Sequence, residues 1–166
     1  MKNTVKISRL ALMFALSLLL NFVESLIPLS LAFPGIKAGL SNIPVMFLLT
    51  AVSFPSALTL ALLKGVFVLF TRGAVAGALS LTGGVFSIIV MWILKTLFKD
   101  KLSYASLSIS GAVCHNAAQL LTAFLIWKTL TVWSISPILI VSGVVFGIIN
   151  ATLLKITLPA LSKIKL

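Results

Sequence analysis

The sequence predicts an all-α fold: a polytopic membrane bundle of six transmembrane helices forming one integral membrane domain, residues 1–166. Three observations predict it. Hydrophobic residues make up 60% of the chain. Charged residues make up 9%, where a soluble domain carries roughly a quarter, so water is not the solvent for most of the surface. The apolar residues fall in long runs separated by short polar or Pro/Gly punctuation, and a bilayer core of ~30 Å asks for about 20 apolar residues per helix.

The runs place the spans at Ile7–Pro28, Leu40–Ser53, Pro55–Phe70, Leu79–Leu97, Ala105–Ile126 and Ile135–Leu154. The first carries Arg9 at its start and is interrupted by Asn21 and Glu24 near its end. Its basic start, Lys2, Lys6 and Arg9, also resembles a secretory signal, with Ser30-Leu31-Ala32 in the small-x-small pattern of a cleavage site. The distance to that site is long and Asn21 and Glu24 interrupt the run, so we read a retained span. The second and third spans are short, and Val52-Ser53-Phe54-Pro55 leaves little room for a loop. One helix from Leu40 to Phe70 would be ~45 Å long, more than the hydrocarbon, so the pattern predicts a tight helical hairpin broken at Pro55. Arg72-Gly73-Ala74-Val75-Ala76-Gly77 through Gly83-Gly84 opens the fourth span. It lacks the spacing and Lys-Ser/Thr of a phosphate-binding loop, and its small residues suit close helix packing in lipid. The fifth and sixth spans are nearly unbroken. No internal repeat divides the chain.

Between the first two spans, Pro28 to Gly39 holds two prolines and two glycines among Leu29, Leu31, Phe33 and Ile36. This segment reads either as a simple loop or as a lid that folds back over the bundle, since irregular backbone at membrane depth must be covered by protein or line a cavity.

The net charge of +11 does not point to nucleic acid, because the bases are spread over span ends and form no patch or stripe. With six alternating spans, Lys2, Lys6, Arg9, Lys95, Lys99, Lys101, Lys155, Lys163 and Lys165 fall on one side, against Lys37, Arg72 and Lys128 on the other. The positive-inside rule then makes the chain a multi-pass protein of the cytoplasmic membrane with both termini cytoplasmic. A single cysteine, Cys114, excludes an internal disulfide.

Ionisable residues inside apolar runs are the functional lead, because a charge near the bilayer centre costs at least ~2.5 kcal/mol unless it faces a partner or a wet cavity. Glu24 and Lys64 lie at similar depth, so they form either an ion pair that locks two helices or part of a substrate or proton site. His115, Asn116 and Gln119 share one face of the fifth span and form a polar stripe that must point inward. It serves either helix–helix hydrogen bonds or a ligand. Lys37 and Asn42 stand at the mouth of the second span and join Arg72 and Lys64 in a cationic field around Glu24, which suits an anionic or zwitterionic small molecule. Lys37 and Arg72 can equally snorkel to lipid headgroups. One histidine without a companion carboxylate or thiol pattern predicts no metal site, and no cofactor is expected. Ala11 and Ala15 form an Ala-x-x-x-Ala strip where another helix can approach closely.

Glu24-Ser25-Leu26-Ile27-Pro28, then Pro34-Gly35-Ile36-Lys37-Ala38-Gly39-Leu40-Ser41-Asn42, then Gly111-Ala112-Val113-Cys114-His115-Asn116-Ala117-Ala118-Gln119 resemble the Gx transporter family over almost the whole chain. That family is also called heptaprenyl diphosphate synthase component I, and it resembles the substrate-binding S components of energy-coupling-factor transporters. The resemblance implies an S-component-like membrane subunit that captures a small molecule from outside and depends on separate coupling and ATPase subunits. It further implies that Ala11 and Ala15 meet the coupling subunit. The synthase name implies an alternative, a membrane component of polyprenyl or menaquinone biosynthesis. Prenyl diphosphate chemistry normally uses Asp-rich clusters to hold Mg²⁺. Glu24 and Asp100 are the only acids and lie on opposite sides in this topology, so such a role is noncatalytic.

Overall fold

A computed structural model describes residues 2–27 and 38–163. Among these the chain is almost entirely helical, with no strand. Helix α1 is Lys2–Ser25. Helix α2 is the short Ile43–Phe47, entered through a 3₁₀ turn at Leu40–Asn42 and left through a π turn at Leu48–Val52. Helices α3 Phe54–Arg72, α4 Ala74–Phe98, α5 Tyr104–Trp127 and α6 Ser136–Lys163 follow.

The break between α2 and α3 falls where the sequence asks for it. Ser53 is extended (φ −167°, ψ 156°) and accepts a hydrogen bond from the Ser56 backbone N–H, while Pro55 sits in the first turn of α3, where its missing N–H costs nothing. The last carbonyls of α2 are not left bare. Ser53 donates its backbone N–H to Leu48 O at 2.8 Å, and Lys95 Nζ, from α4, donates to Leu49 O at 2.9 Å and Thr50 O at 3.0 Å.

The helices differ from the expected spans in several places, beginning with α1, which starts at Lys2 instead of Ile7. Helix α3 is long enough to cross a bilayer, whereas the stretch Leu40–Val52 is not. Helix α4 begins at Ala74, five residues before the expected Leu79, because only Gly73 in the glycine tract leaves helical geometry (φ +88°). The tract is packed as expected: a Cβ on Gly77 would lie 2.7 Å from the Leu69 backbone, and one on Gly83 would lie 2.8 Å from His115 Cε1. Helix α6 runs on past Leu154 to Lys163 and carries Pro159 inside it.

Helices α3, α4, α5 and α6 pack consecutively, α1 lies against α2 and α3, and α2 also touches α6. Every residue of Ile43–Leu49 is buried, in one cluster with Met13, Leu60, Ile88, Met91, Leu107 and Leu154. A helix apolar all round belongs inside a bundle, and α2 is that helix. The long spans are the reverse: between 17% and 33% of their most apolar windows is buried. Leu125, Val141 and Ile156 are each more than 60% exposed. Such an apolar exterior requires lipid around it.

Candidate functional site

The stretch Leu40–Val52 reaches only ~20 Å at 1.5 Å per residue, short of the ~30 Å hydrocarbon, so α2 fills one half of the bundle. A cavity of about 180 Å³ lies at its N-terminal end. Its lining comes from every helix or its flank: Asn21 and Glu24 of α1, Ala38, Gly39, Ser41 and Asn42 before α2, Lys64, Val68 and Arg72 of α3, Ala76, Leu79 and Ser80 of α4, Ala112, His115, Asn116 and Gln119 of α5, and Ser142, Gly143, Phe146 and Asn150 of α6. The size, below the ~300 Å³ at which drug-sized sites begin, fits a small metabolite.

The segment from Ala38 to Asn42, irregular at Ala38 and Gly39 and then a single 3₁₀ turn, forms one wall, and three helices hold it. Asn150 Nδ2 donates to Ala38 O at 2.9 Å. Gly39 donates its N–H to Glu24 Oε1 at 2.7 Å. Ser17 Oγ donates to Ser41 O at 2.8 Å, and Lys64 Nζ donates to Ser41 Oγ at 3.1 Å and to Asn42 Oδ1. Backbone outside a helix at membrane depth must find its hydrogen bonds within the protein, and here it does. Gly39 takes a left-handed conformation (φ +72°), and a Cβ there would lie 3.3 Å from Asn150 Nδ2, so glycine fits on both counts.

Glu24 is 8% exposed and Lys64 6%. The sequence placed these two charges at one depth. The structure brings both to the same cavity and to the same short segment, Glu24 gripping Gly39 and Lys64 gripping Ser41 and Asn42. Arg72, exposed at the end of α3, adds a second cation to the rim.

His115, Asn116 and Gln119 all line the cavity, as one face of α5 should. Two of them also tie helices together: Asn116 Nδ2 donates to Leu139 O at 2.7 Å and Gln119 Nε2 to Leu79 O at 3.4 Å. Asn116 and Gln119 thus make the helix–helix hydrogen bonds that the sequence offered as one use of the stripe, from side chains that also line the cavity. The His115 ring lies over Gly83, which leaves room for it.

Lys37 and the lid reading of Pro28 to Gly39, apart from Ala38 and Gly39, lie outside the described residues. Ala11 and Ala15 are not part of the cavity. They are exposed on the outer face of α1, in line with Ile7, Leu19 and Phe22.

Sequence reasoning missed Asn150, Ser41, Ser80, Ser142 and Phe146, and counted Asn21 only as an interruption. Asn150 was findable by the rule that found Lys64: it is an amide inside the run Gly147-Ile148-Ile149-Asn150-Ala151. It is 7% exposed, and its Oδ1 has no hydrogen-bond partner among the described residues. The serines carried no signal, because a hydroxyl in a membrane helix can bond its own preceding turn, as Ser142 Oγ does to Leu139 O at 3.0 Å.

The arrangement offers a carboxylate, two cations, amides and an unfilled acceptor in a space shielded by lipid-facing helices. It can bind a small polar molecule by charge and hydrogen bonds. Prenyl diphosphate synthesis needs carboxylates grouped around a metal, and among the described residues no three His, Cys, Asp or Glu come together. With Glu24 in the cavity and Asp100 beyond the far end of α4, the chain's acids do not fit such a site.

Neither a curated protein nor a solved structure matches the chain. A family model does match, over residues 13–157, and this multi-helix membrane protein therefore belongs to the family described as heptaprenyl diphosphate synthase component I.

Proposed function

We propose that the chain is a membrane-embedded substrate-binding subunit for uptake of a small polar molecule, working with a separate energising module. The observation that carries this reading is the cavity at one end of the bundle, in which the buried Glu24 and Lys64 meet the half-buried amides of α5 and the buried Asn150 of α6. Burying charges in lipid is costly and marks substrate pathways. Lys64 and Arg72 suit the anionic group of a ligand, Glu24 a cationic or donor group, and Asn150 Oδ1 accepts one further hydrogen bond. The ligand class is an anionic or zwitterionic metabolite.

The surplus of Lys and Arg at the opposite end orients the bundle with that end in the cytoplasm, so the cavity opens toward the outside. With Cys114 replaced, a thiol introduced near Lys99 or Lys163 is expected to react with a membrane-impermeant reagent only after the cytoplasmic side is opened. Labelling in intact cells would reverse the orientation. The chain carries no nucleotide-binding loop, so ATP-driven uptake needs coupling and ATPase partners. The exposed strip at Ala11 and Ala15 is the contact we assign to them. Ala11→Trp is expected to abolish uptake and co-purification of the partners while ligand binding persists. Undiminished uptake in Ala11→Trp and Ala15→Trp, at normal protein levels, would remove this mechanism.

A second reading rests on the family description itself: a noncatalytic membrane component in polyprenyl diphosphate or menaquinone biosynthesis. It would bind a soluble synthase at the lysine-rich end. Uptake of radiolabelled candidate solutes, with and without partner subunits, separates the two.

A further inference from the structure

A second cavity, of about 250 Å³, lies at the opposite end of the bundle. Thr50 at the end of α2, Lys95 and Lys99 at the end of α4, and Leu102, Ser103 and Tyr104 leading into α5 line it. From Leu79, which lines the first cavity, to Lys95 is ~24 Å along α4, so the two cavities are separate.

Its chemistry is one-sided. None of its lining residues is acidic, and two are lysines. Lys95 gives two N–H bonds to the carbonyls of Leu49 and Thr50. An ammonium has three, so one donor remains, and neutral carbonyls leave its charge uncompensated. Lys99 is exposed and makes no hydrogen bond or ion pair among the described residues, and neither does the Tyr104 hydroxyl. The first-turn N–H groups of α5 add positive potential beside them. Lys99 also holds a positive φ (49°, with ψ −127°), outside the regions open to a residue with a Cβ and therefore strained. Leu102 and Leu107 supply apolar wall, and the exposed Leu97, Phe98 and Trp92 surround the end of α4. Trp92, packed on Phe54 with ring centroids 4.9 Å apart and the rings tilted by 40°, fits a membrane–water interface.

Cations, hydroxyl and apolar wall meeting at an interface define one ligand chemistry. We propose that this cavity binds the phosphate or diphosphate group of an amphipathic lipid. The phosphate engages Lys95, Lys99 and Tyr104, and the hydrocarbon lies along the exposed apolar side chains. Such a lipid is either a bilayer phospholipid or a prenyl diphosphate. Lipid binding here is independent of ligand binding at the other end of the bundle, and each can fail without the other.

The test uses the purified full chain in uncharged detergent. Dioleoyl phosphatidylglycerol, farnesyl diphosphate and inorganic phosphate are titrated in parallel, with dioleoylglycerol and farnesol as phosphate-free controls. Binding is read by native mass spectrometry and by the shift in thermal unfolding. The expected result is saturable binding of at least one phosphate-headed lipid, none of the controls, and about a tenfold loss of affinity in Lys99→Gln. The lipid that binds more tightly identifies the source. Lys99→Gln replaces an exposed side chain with no internal bond and so preserves the fold, whereas Lys95→Gln would also uncap the end of α2. Binding of neither lipid, binding of inorganic phosphate alone, equal binding of the phosphate-free controls, or unchanged affinity in Lys99→Gln overturns the proposal.

Discussion

From Ile43 to Leu49 the chain is buried in an apolar cluster with Met13, Leu60, Ile88, Met91, Leu107 and Leu154. From Ala38 to Asn42, one turn earlier, it is held by Glu24, Lys64, Ser17 and Asn150. The same segment thus contributes to two halves of one bundle built on different physics. Around α2, side chains fit together and van der Waals contact holds the helices, since lipid offers no hydrophobic drive for association. Ahead of its first turn, directional hydrogen bonds hold irregular backbone against a cavity. The packed core and the proposed binding site therefore lie at different ends, and substitutions can test how separate they are.

The largest effect is expected in the apolar half. Leu60 is fully buried, and Leu60→Ala should cost about 2–5 kcal/mol, measured by unfolding in detergent. Ligand affinity of the folded fraction should stay within about twofold of wild type. A large loss of affinity at unchanged stability would break the division between the halves.

Next comes a matched pair of glycines. A Cβ at Gly83 would lie 2.8 Å from His115 Cε1, so Gly83→Ala forces the ring to move, at about 1–3 kcal/mol, and should weaken ligand binding with it. A Cβ at Gly84 would lie 3.5 Å from Ala61 Cβ, an ordinary contact. Gly84→Ala should be neutral or stabilise the helix by up to about 1 kcal/mol and leave binding alone. Equal effects at the two positions would mean that His115 is not held against the cavity as described.

A smaller, coupled effect is expected at the polar wall. Glu24 and Lys64 grip the same segment, so Glu24→Gln and Lys64→Met should be non-additive, with a coupling of about 1 kcal/mol in a double-mutant cycle. Strict additivity would show that Gly39–Asn42 does not transmit between them.

The apolar half was legible in the sequence because it follows length and periodicity. The runs gave the spans, and Pro55 with an over-long apolar stretch gave the hairpin. The start of α4 was not legible, because Gly and Ala in lipid are helix formers that look like loop by soluble-protein habits. The end of α6 was not, because the apolar run was closed at Leu154 by Lys155, counted among the bases at span ends. In the polar half, the rule that charged and amide residues in apolar runs face inward located Glu24, Lys64, His115, Asn116 and Gln119 on the cavity. It did not reveal that Glu24 and Lys64 act through the backbone between Gly39 and Asn42, since hydrogen bonds to main chain leave no trace in residue type. Asn150 followed from the same rule and was passed over. Ser41, Ser80 and Ser142 lie on the wall by geometry alone.

Everything proposed for the polar end of the bundle depends on its taking up a small molecule. Native mass spectrometry of the chain, purified from membranes and released from detergent, is the sharpest test. A discrete small-molecule adduct is expected on wild type and on Leu60→Ala, and its loss is expected from Glu24→Gln protein whose unfolding profile shows it folded. A wild-type chain that carries no adduct when purified from cells grown in rich medium, or an adduct retained equally by Glu24→Gln, would contradict it.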